Sequence, residues 1–339
     1  MMELRVEDAV GRILAHDMTK IVPGKFKGAA FKRGYVIKPE DVEILKDMGK
    51  YHVKVLEADD NRIHENDGAE MLVREAAGDG TKVLEAEEGK CIITAKSHGL
   101  LKVNTRCMEE FNLIGEAYLF SVKNYSVVEK DQKVAAVKII PLTISHETAA
   151  AGMEIFREYY PAVEVKPFLN LRTGIVITGS EVYYGRIKDK FKDVLQGKIR
   201  AFNGELLGVR YAPDDREMIT GIIREFIDAG AQLVLVSGGM AVDSDDVTPL
   251  AISEAAPDVV TYGAPVTPGA LCMVAYCNDI PVMGVPACAM FSKTTILDIL
   301  LPRFFAGERV DRIDIARLAN GGMCLGCQVC TYPVCPFGK

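Results

Sequence analysis

The chain of 339 residues contains no tryptophan, only five histidines, and no run of about 18 consecutive apolar residues. The last absence leaves no candidate for a transmembrane helix. The N-terminal "MMELRVEDAVGR" lacks the apolar core that a secretory signal requires, so a cytoplasmic location is expected. Basic surplus is lacking too. Lys and Arg number 40 against 47 Asp and Glu, a net charge of −7. That balance argues against nucleic acid or an anionic membrane as partner, both of which call for clustered positive charge. The scarce histidines offer little catalytic or zinc chemistry. His146 opens "HETAA", but no second histidine follows four residues later, and a helix-terminal role is expected for it. Internal repeats and low-complexity segments are missing as well.

What remains is ordinary globular composition, 49% hydrophobic and 26% charged, over a length that suggests two or three domains. Residues 1–60 read as a small lobe, with a turn at Gly34, a helix that Pro39 starts and Gly49 ends, and the alternating strand "YHVKVLE". Residues 61–145 read as a smaller β-rich α+β domain, entered through a helical linker and holding a helix capped by Asn104. Residues 146–169 read as a connecting helix, ended at Pro161, followed by a linker. From 170 to 306 the rhythm becomes strand, loop, helix, repeated, which predicts an α/β domain with a parallel sheet between two helical layers. Residues 307–339 form a cysteine-rich tail.

Three loops in the α/β segment follow strands and precede helices. They are "TGSE" with Thr178, Gly179, Ser180 and Glu181, "APDDRE" with Asp214 and Asp215, and "SGGMAVDSDDVTP" from Ser237 to Pro249. A parallel sheet gathers such loops on its carboxyl edge, where ligands of open α/β sheets bind. Glycines let backbone approach a ligand, and helix-start amides suit phosphate. Three aspartates within four residues, Asp243, Asp245 and Asp246, would repel phosphate unless a divalent cation neutralises the pair. The plainer reading makes Asp214 and Asp246 helix N-caps.

"TGSEVYYGRIKD", "PDD", "SGGMAVDSDDVTP" and "TPGA" occur in the order and spacing of the molybdopterin-binding domain family, which this segment resembles. The family includes molybdopterin adenylyltransferases, molybdopterin molybdotransferases and CinA-like proteins. "VEDAVGRILAHDM" and "FKRGYVIKPEDVEILKDMGKYHVKVL" resemble non-catalytic lobes of the molybdotransferase. The resemblance implies a pocket for molybdopterin or adenylyl-molybdopterin, with Mg²⁺ where nucleotide chemistry occurs. It implies acidic roles in adenylyl transfer or metal binding for Asp214 and Asp246. Gly238 and Gly239 would line the ligand, Thr178 to Glu181 would form the opposite wall, and Ser237, Asp245, Thr248, Pro268 and Gly269 would complete the pocket. Two departures stand out. Ala270 follows Pro268–Gly269 where the family carries lysine, and "VPACAMF" replaces a Pro-Gly-Asn-Pro type loop.

The nine cysteines divide sharply. Cys91, Cys107, Cys272, Cys277 and Cys288 are single and lie in apolar surroundings, as buried free thiols do. Cys324, Cys327, Cys330 and Cys335 follow a C-x2-C-x2-C-x4-C pattern before Pro336. Reduced thiols so spaced are metal ligands more often than disulfides, and the run is one residue longer than that of bacterial ferredoxins. An iron–sulfur cluster, or zinc, is expected there.

Two functions follow. One is an enzyme of molybdenum cofactor biosynthesis, handling adenylyl-molybdopterin with Mg²⁺ or inserting molybdate. The other is a non-catalytic carrier or sensor of the same pterin. A redox partner centred on the tail is a third. Expected partners are the small pterin ligand, further copies of the chain, and a molybdoenzyme or another cofactor-biosynthesis protein.

Overall fold

The computed structural model describes residues 2–22, 24–56, 62–241, 243 and 246–338. The chain divides into two compact units. One holds residues 1–94, 103–121 and 133–164, and the other holds 95–102, 122–132 and 165–339.

In the first unit, strand Met2–Arg5 pairs antiparallel with His52–Val55, whose inward residues Val53 and Val55 join Leu14, Ile37 and Leu45 in a small core. The turn at Gly34 (φ 83°) and the helix Asp41–Asp47, with Gly49 (φ 74°) just beyond it, stand where the sequence placed them. The segment expected as a linker is instead an integral helix, Glu65–Ala76, with Ala69, Leu72, Val73 and Ala76 buried. Its neighbour is the helix His146–Glu158, and Gly152 there is so close that a Cβ would meet Leu72 Cδ2 at 2.7 Å. A four-stranded sheet runs in the order 81–83, 90–95, 133–139, 117–121. Asn104 caps the helix Thr105–Asn112 by accepting from Cys107 N at 3.1 Å, as its sequence suggests.

The second unit is an α/β domain. The strands of its main sheet are β1 (Arg172–Thr178), β2 (Glu205–Ala212), β3 (Leu233–Ser237), β4 (Asp258–Tyr262), β5 (Met273–Cys277) and β6 (Ile280–Val285). Its helices are α1 (Ser180–Tyr183), α2 (Phe191–Ala201), α3 (Arg216–Asp228), α4 (Thr248–Ala255), α5 (Ile296–Phe305) and α6 (Arg312–Arg317). The sheet order is β2-β1-β3-β6-β5-β4. Side chains alternate across it. Ile175, Ile177, Leu233 and Leu235 face one core with α2 and α5, while Val176, Val234 and Val236 face the other with α3 and α4. Helix α3 buries Ile219, Ile222, Ile223 and Phe226 at helical spacing, each such burial contributing about 1.5–3 kcal/mol.

The expected all-parallel sheet is corrected at one edge. β2, β1, β3 and β6 are parallel, but β5 runs antiparallel to β6 and β4 antiparallel to β5. The cause is local. Only Asn278 and Asp279 separate β5 from β6, with Asn278 at φ 54°, and a two-residue loop can join antiparallel strands only. Among the described residues no helix is long and apolar enough to cross a membrane.

Candidate functional site

The chain leaves β1 toward β2 and returns to β3 on the other side, and α2 and α4, which follow β1 and β3, lie on opposite faces. This reversal opens a crevice beyond the carboxyl ends of β1 and β3. A cavity of about 980 Å³ fills it. Thr178, Gly179 and Glu181 reach it from the loop after β1, Asp214 from β2, Gly238, Gly239, Asp243 and Asp246 from β3, and Phe291 from β6. The three loops read from sequence therefore share one cavity.

Glycine is required where β3 ends. Gly238 has φ 100°, and a Cβ there would lie 2.2 Å from the carbonyl oxygen of Thr178. The loops after β1 and β3 touch through backbone at that point, which only a residue without a side chain permits. The next residue, Gly239 (φ 54°), leaves open the spot on which the acidic groups converge. A Cβ there would be 3.5 Å from Asp214 Oδ1, 3.5 Å from Asp246 Oδ1 and 2.7 Å from Thr248 Oγ1.

Neither aspartate is spent on a helix cap. Asp215 caps α3, accepting from Met218 N at 2.8 Å, while α4 starts after Val247 with no side-chain cap. Asp214 is fixed instead by Ser180. Ser180 N donates to Asp214 Oδ2 at 2.8 Å, and Asp214 N donates to Ser180 Oγ at 3.2 Å. That exchange aims one carboxylate oxygen at the protein and leaves Oδ1 toward Gly239. Beneath the loops, buried Thr178 and Thr248 bring their hydroxyls within 3.0 Å, and Thr178 Oγ1 donates to Ser237 O at 3.3 Å. Ser237 is itself fully buried, and its Oγ has no partner among the described residues. Tyr262 holds the glycine loop by donating to the carbonyls of Met240 and Ala241, both at 3.1 Å. Burial, then the charge of Asp246, pushes that phenol above its ordinary range, so it remains a donor.

Pro268 and Gly269 stand apart from this cavity. Pro268 lines a different one beside the tail, and a Cβ on Gly269 would meet Ile296 at the start of α5. Asp245 lies outside the described residues. The sequence missed Lys188 and Lys190, which line the cavity and supply positive charge. By composition residues 183–199 suit a single helix. The chain instead forms the short α1, then a loop, and begins α2 only at Phe191, where Asp189 Oδ1 accepts from Phe191 N at 2.7 Å. The signal was present: Gly185 (φ 70°) interrupts the helical pattern, and aspartate, here Asp189, is a residue type that accepts from the first amides of a helix. Phe291 and Met290, also missed, come from the "VPACAMF" loop.

The tail cysteines are a separate matter. Cys327 and Cys330 are exposed, Cys324 and Cys335 half-buried, and none is in a disulfide. Among the described residues no three His, Cys, Asp or Glu are drawn together as a ready-made metal-ligand group.

Residues 174–306 match the family described as "Probable molybdopterin binding domain", and residues 3–57 match a domain of unknown function. A CinA-like protein of Mycolicibacterium gilvum is 32% identical over 80 residues, covering 24% of this chain and 19% of that protein. One of Mycobacterium leprae is 30% identical over the same length and the same shares. The chain thus spans about a fifth of the length of these curated relatives. Among solved structures, the molybdopterin biosynthesis enzyme MoaB of Thermus thermophilus is 22% identical, with TM-score 0.35, over 39% of this chain and 91% of that one. The protein CinA of Thermoplasma acidophilum is 14% identical, with TM-score 0.35, over 40% and 99%. The segment that carries the glycine loops and the paired aspartates, residues 174–306, belongs to the molybdopterin-binding domain family.

Proposed function

We propose that the carboxyl-edge cavity binds molybdopterin or adenylyl-molybdopterin in molybdenum cofactor biosynthesis, and that Asp214 and Asp246 hold Mg²⁺ against the ligand's phosphate. One observation carries the reading: Asp214 Oδ1 and Asp246 Oδ1 flank the same open spot above Gly239, each 3.5 Å from it. Two carboxylates with room for phosphate oxygens are the usual protein share of a Mg²⁺ site. The donor set fits a hard cation, being oxygen only, with Thr248 Oγ1 beside it. Lys188 and Lys190, which also line the cavity, suit the remaining anionic charge. The volume, about 980 Å³, lies in the range of pockets for ligands of this size. Mg²⁺ there would stabilise charge on a transferring phosphoryl or adenylyl group.

The carrier or sensor reading uses the same pocket without turnover. The placement of Pro268 and Gly269 away from the cavity favours it, since the family's Pro-Gly loop then adds nothing to the site. Incubating the full chain with each pterin species, ATP, Mg²⁺ and molybdate, beside Asp246→Ala, separates the two. Product formed by the wild type and lost in the variant supports the enzyme. Tight binding without product supports the carrier. If neither pterin species binds, both readings fall.

A further inference from the structure

A second cavity, of about 290 Å³, is lined by Cys324, Cys327, Cys330 and Cys335 together, beside Lys293, Thr294 and Phe337. The chain around it is tied down at both ends. Met323 bridges to Thr267, and Cys324 N donates to Thr267 O at 2.9 Å. Farther on, Tyr332 OH donates to Asp298 O at 3.1 Å, Phe337 is buried in the larger core, and Gly338 N donates to Gly321 O at 2.9 Å. Between these anchors, residues 325–331 form no helix or strand. The fold thus turns four thiols, spaced over a dozen residues, onto one volume.

Cys324 and Cys335 pack against the larger core, but packing does not explain Cys327 and Cys330. A cysteine kept as a small hydrophobe is buried, as Cys91, Cys107 and Cys272 are here, whereas Cys327 and Cys330 are exposed. Nor are they held as disulfides. Four cysteines lining one cavity at x2, x2 and x4 spacing supply the thiolates that soft metals select over oxygen and nitrogen. The cavity is about ten times the ~30 Å³ of one water, so it has room for more than a bare ion.

We propose that Cys324, Cys327, Cys330 and Cys335 form a four-thiolate metal centre, filled by an iron–sulfur cluster or by zinc. Ligation replaces four S–H protons, released to solvent, with four metal–sulfur bonds, and it draws the 325–331 loop inward. This centre is independent of the pterin reading, because no cysteine lines the carboxyl-edge cavity. Phe291 is the residue common to the two cavities.

The test is to purify the full chain anaerobically, reconstitute it separately with Fe²⁺ plus sulfide and with Zn²⁺, and assay iron, acid-labile sulfide and zinc per chain. Iron with matching sulfide and visible absorption identifies a cluster. Zinc at one per chain without iron identifies a zinc site. Cys327→Ser and Cys330→Ser, both at exposed positions, should abolish retention while circular dichroism stays unchanged. Cys277→Ser, on β5, should retain the full load. A wild-type chain that keeps no stoichiometric metal under either reconstitution overturns the proposal. So does full retention by both serine variants.

Discussion

Gly238→Ala and Gly239→Ala, one residue apart, should fail in different ways. At Gly238 the added methyl carbon would sit 2.2 Å from the Thr178 carbonyl oxygen, a backbone atom at the end of β1. Relief requires the ends of two adjacent core strands to part. A left-handed φ costs an L-residue about 1–2 kcal/mol, and overpacking adds about 1–3 kcal/mol. The sum is about 2–5 kcal/mol, a fall of about 5–15 °C in Tm for a unit of this size. At Gly239, φ is 54°, within the left-handed region, and the near neighbour is the Thr248 hydroxyl at 2.7 Å. Stability should fall by only about 1–2 kcal/mol there, but the methyl group fills the spot between Asp214 and Asp246. Ligand and Mg²⁺ binding should then be lost from a folded chain. Thermal and urea melts by circular dichroism, with titration calorimetry on each variant, read both effects. A Gly238→Ala variant as stable as wild type refutes the backbone approach. A Gly239→Ala variant that binds Mg²⁺ and pterin normally refutes the carboxylate site.

Asp215→Ala should cost about 1 kcal/mol through the lost cap on α3 and leave pterin binding intact, whereas Asp214→Ala should remove binding; equal binding by both variants, measured by calorimetry, would refute the roles assigned to them. Glu308 is largely buried between Lys102 and Lys166. Burial pushes its carboxyl up, but the hydrogen bonds and charges of the two lysines together outweigh that and hold it below its usual 4.5. A depressed carboxyl stabilises the fold above the unfolded value and loses that stability as pH falls through the folded one, so urea midpoints of Glu308→Gln should fall less steeply below about pH 4.5 than those of wild type. Brief alkylation of the metal-free native chain should label Cys327 and Cys330 and spare Cys91, Cys107 and Cys272. The spared thiols are buried, and desolvation pushes them up to about 11, 11 and 12. Peptide mass mapping reads the order, and early labelling of Cys272 would contradict the core described here.

Much of the α/β domain was legible because its signals are short-range. The apolar spacing from Ile219 to Phe226 defines α3 whatever packs on it, and a glycine pair after "QLVLV" marks a strand end. The antiparallel edge was encoded as well, in the two-residue Asn278–Asp279 turn, but it was overlooked in favour of the repeating α/β rhythm. The helix Glu65–Ala76 was harder to read. Its glycine and charges resemble a linker, and only the fit of Leu72 against Gly152, far along the chain, makes it core.

Residue type and order alone determined which loops carry glycine and carboxylate, and that they follow strands. Tertiary structure decided which carboxylate does what. Asp214 and Asp215 are neighbours of the same type, and residue type alone cannot rank them. The fold assigns Asp215 to the helix cap and pairs Asp214 with Ser180, a partner 34 residues away. It also set Lys188 and Lys190 on the cavity and moved Pro268 and Gly269 off it. Backbone preferences and capping act over a few residues and can be read locally. Charge placement depends on which distant strand ends meet, and that is settled only when the sheet closes around its core.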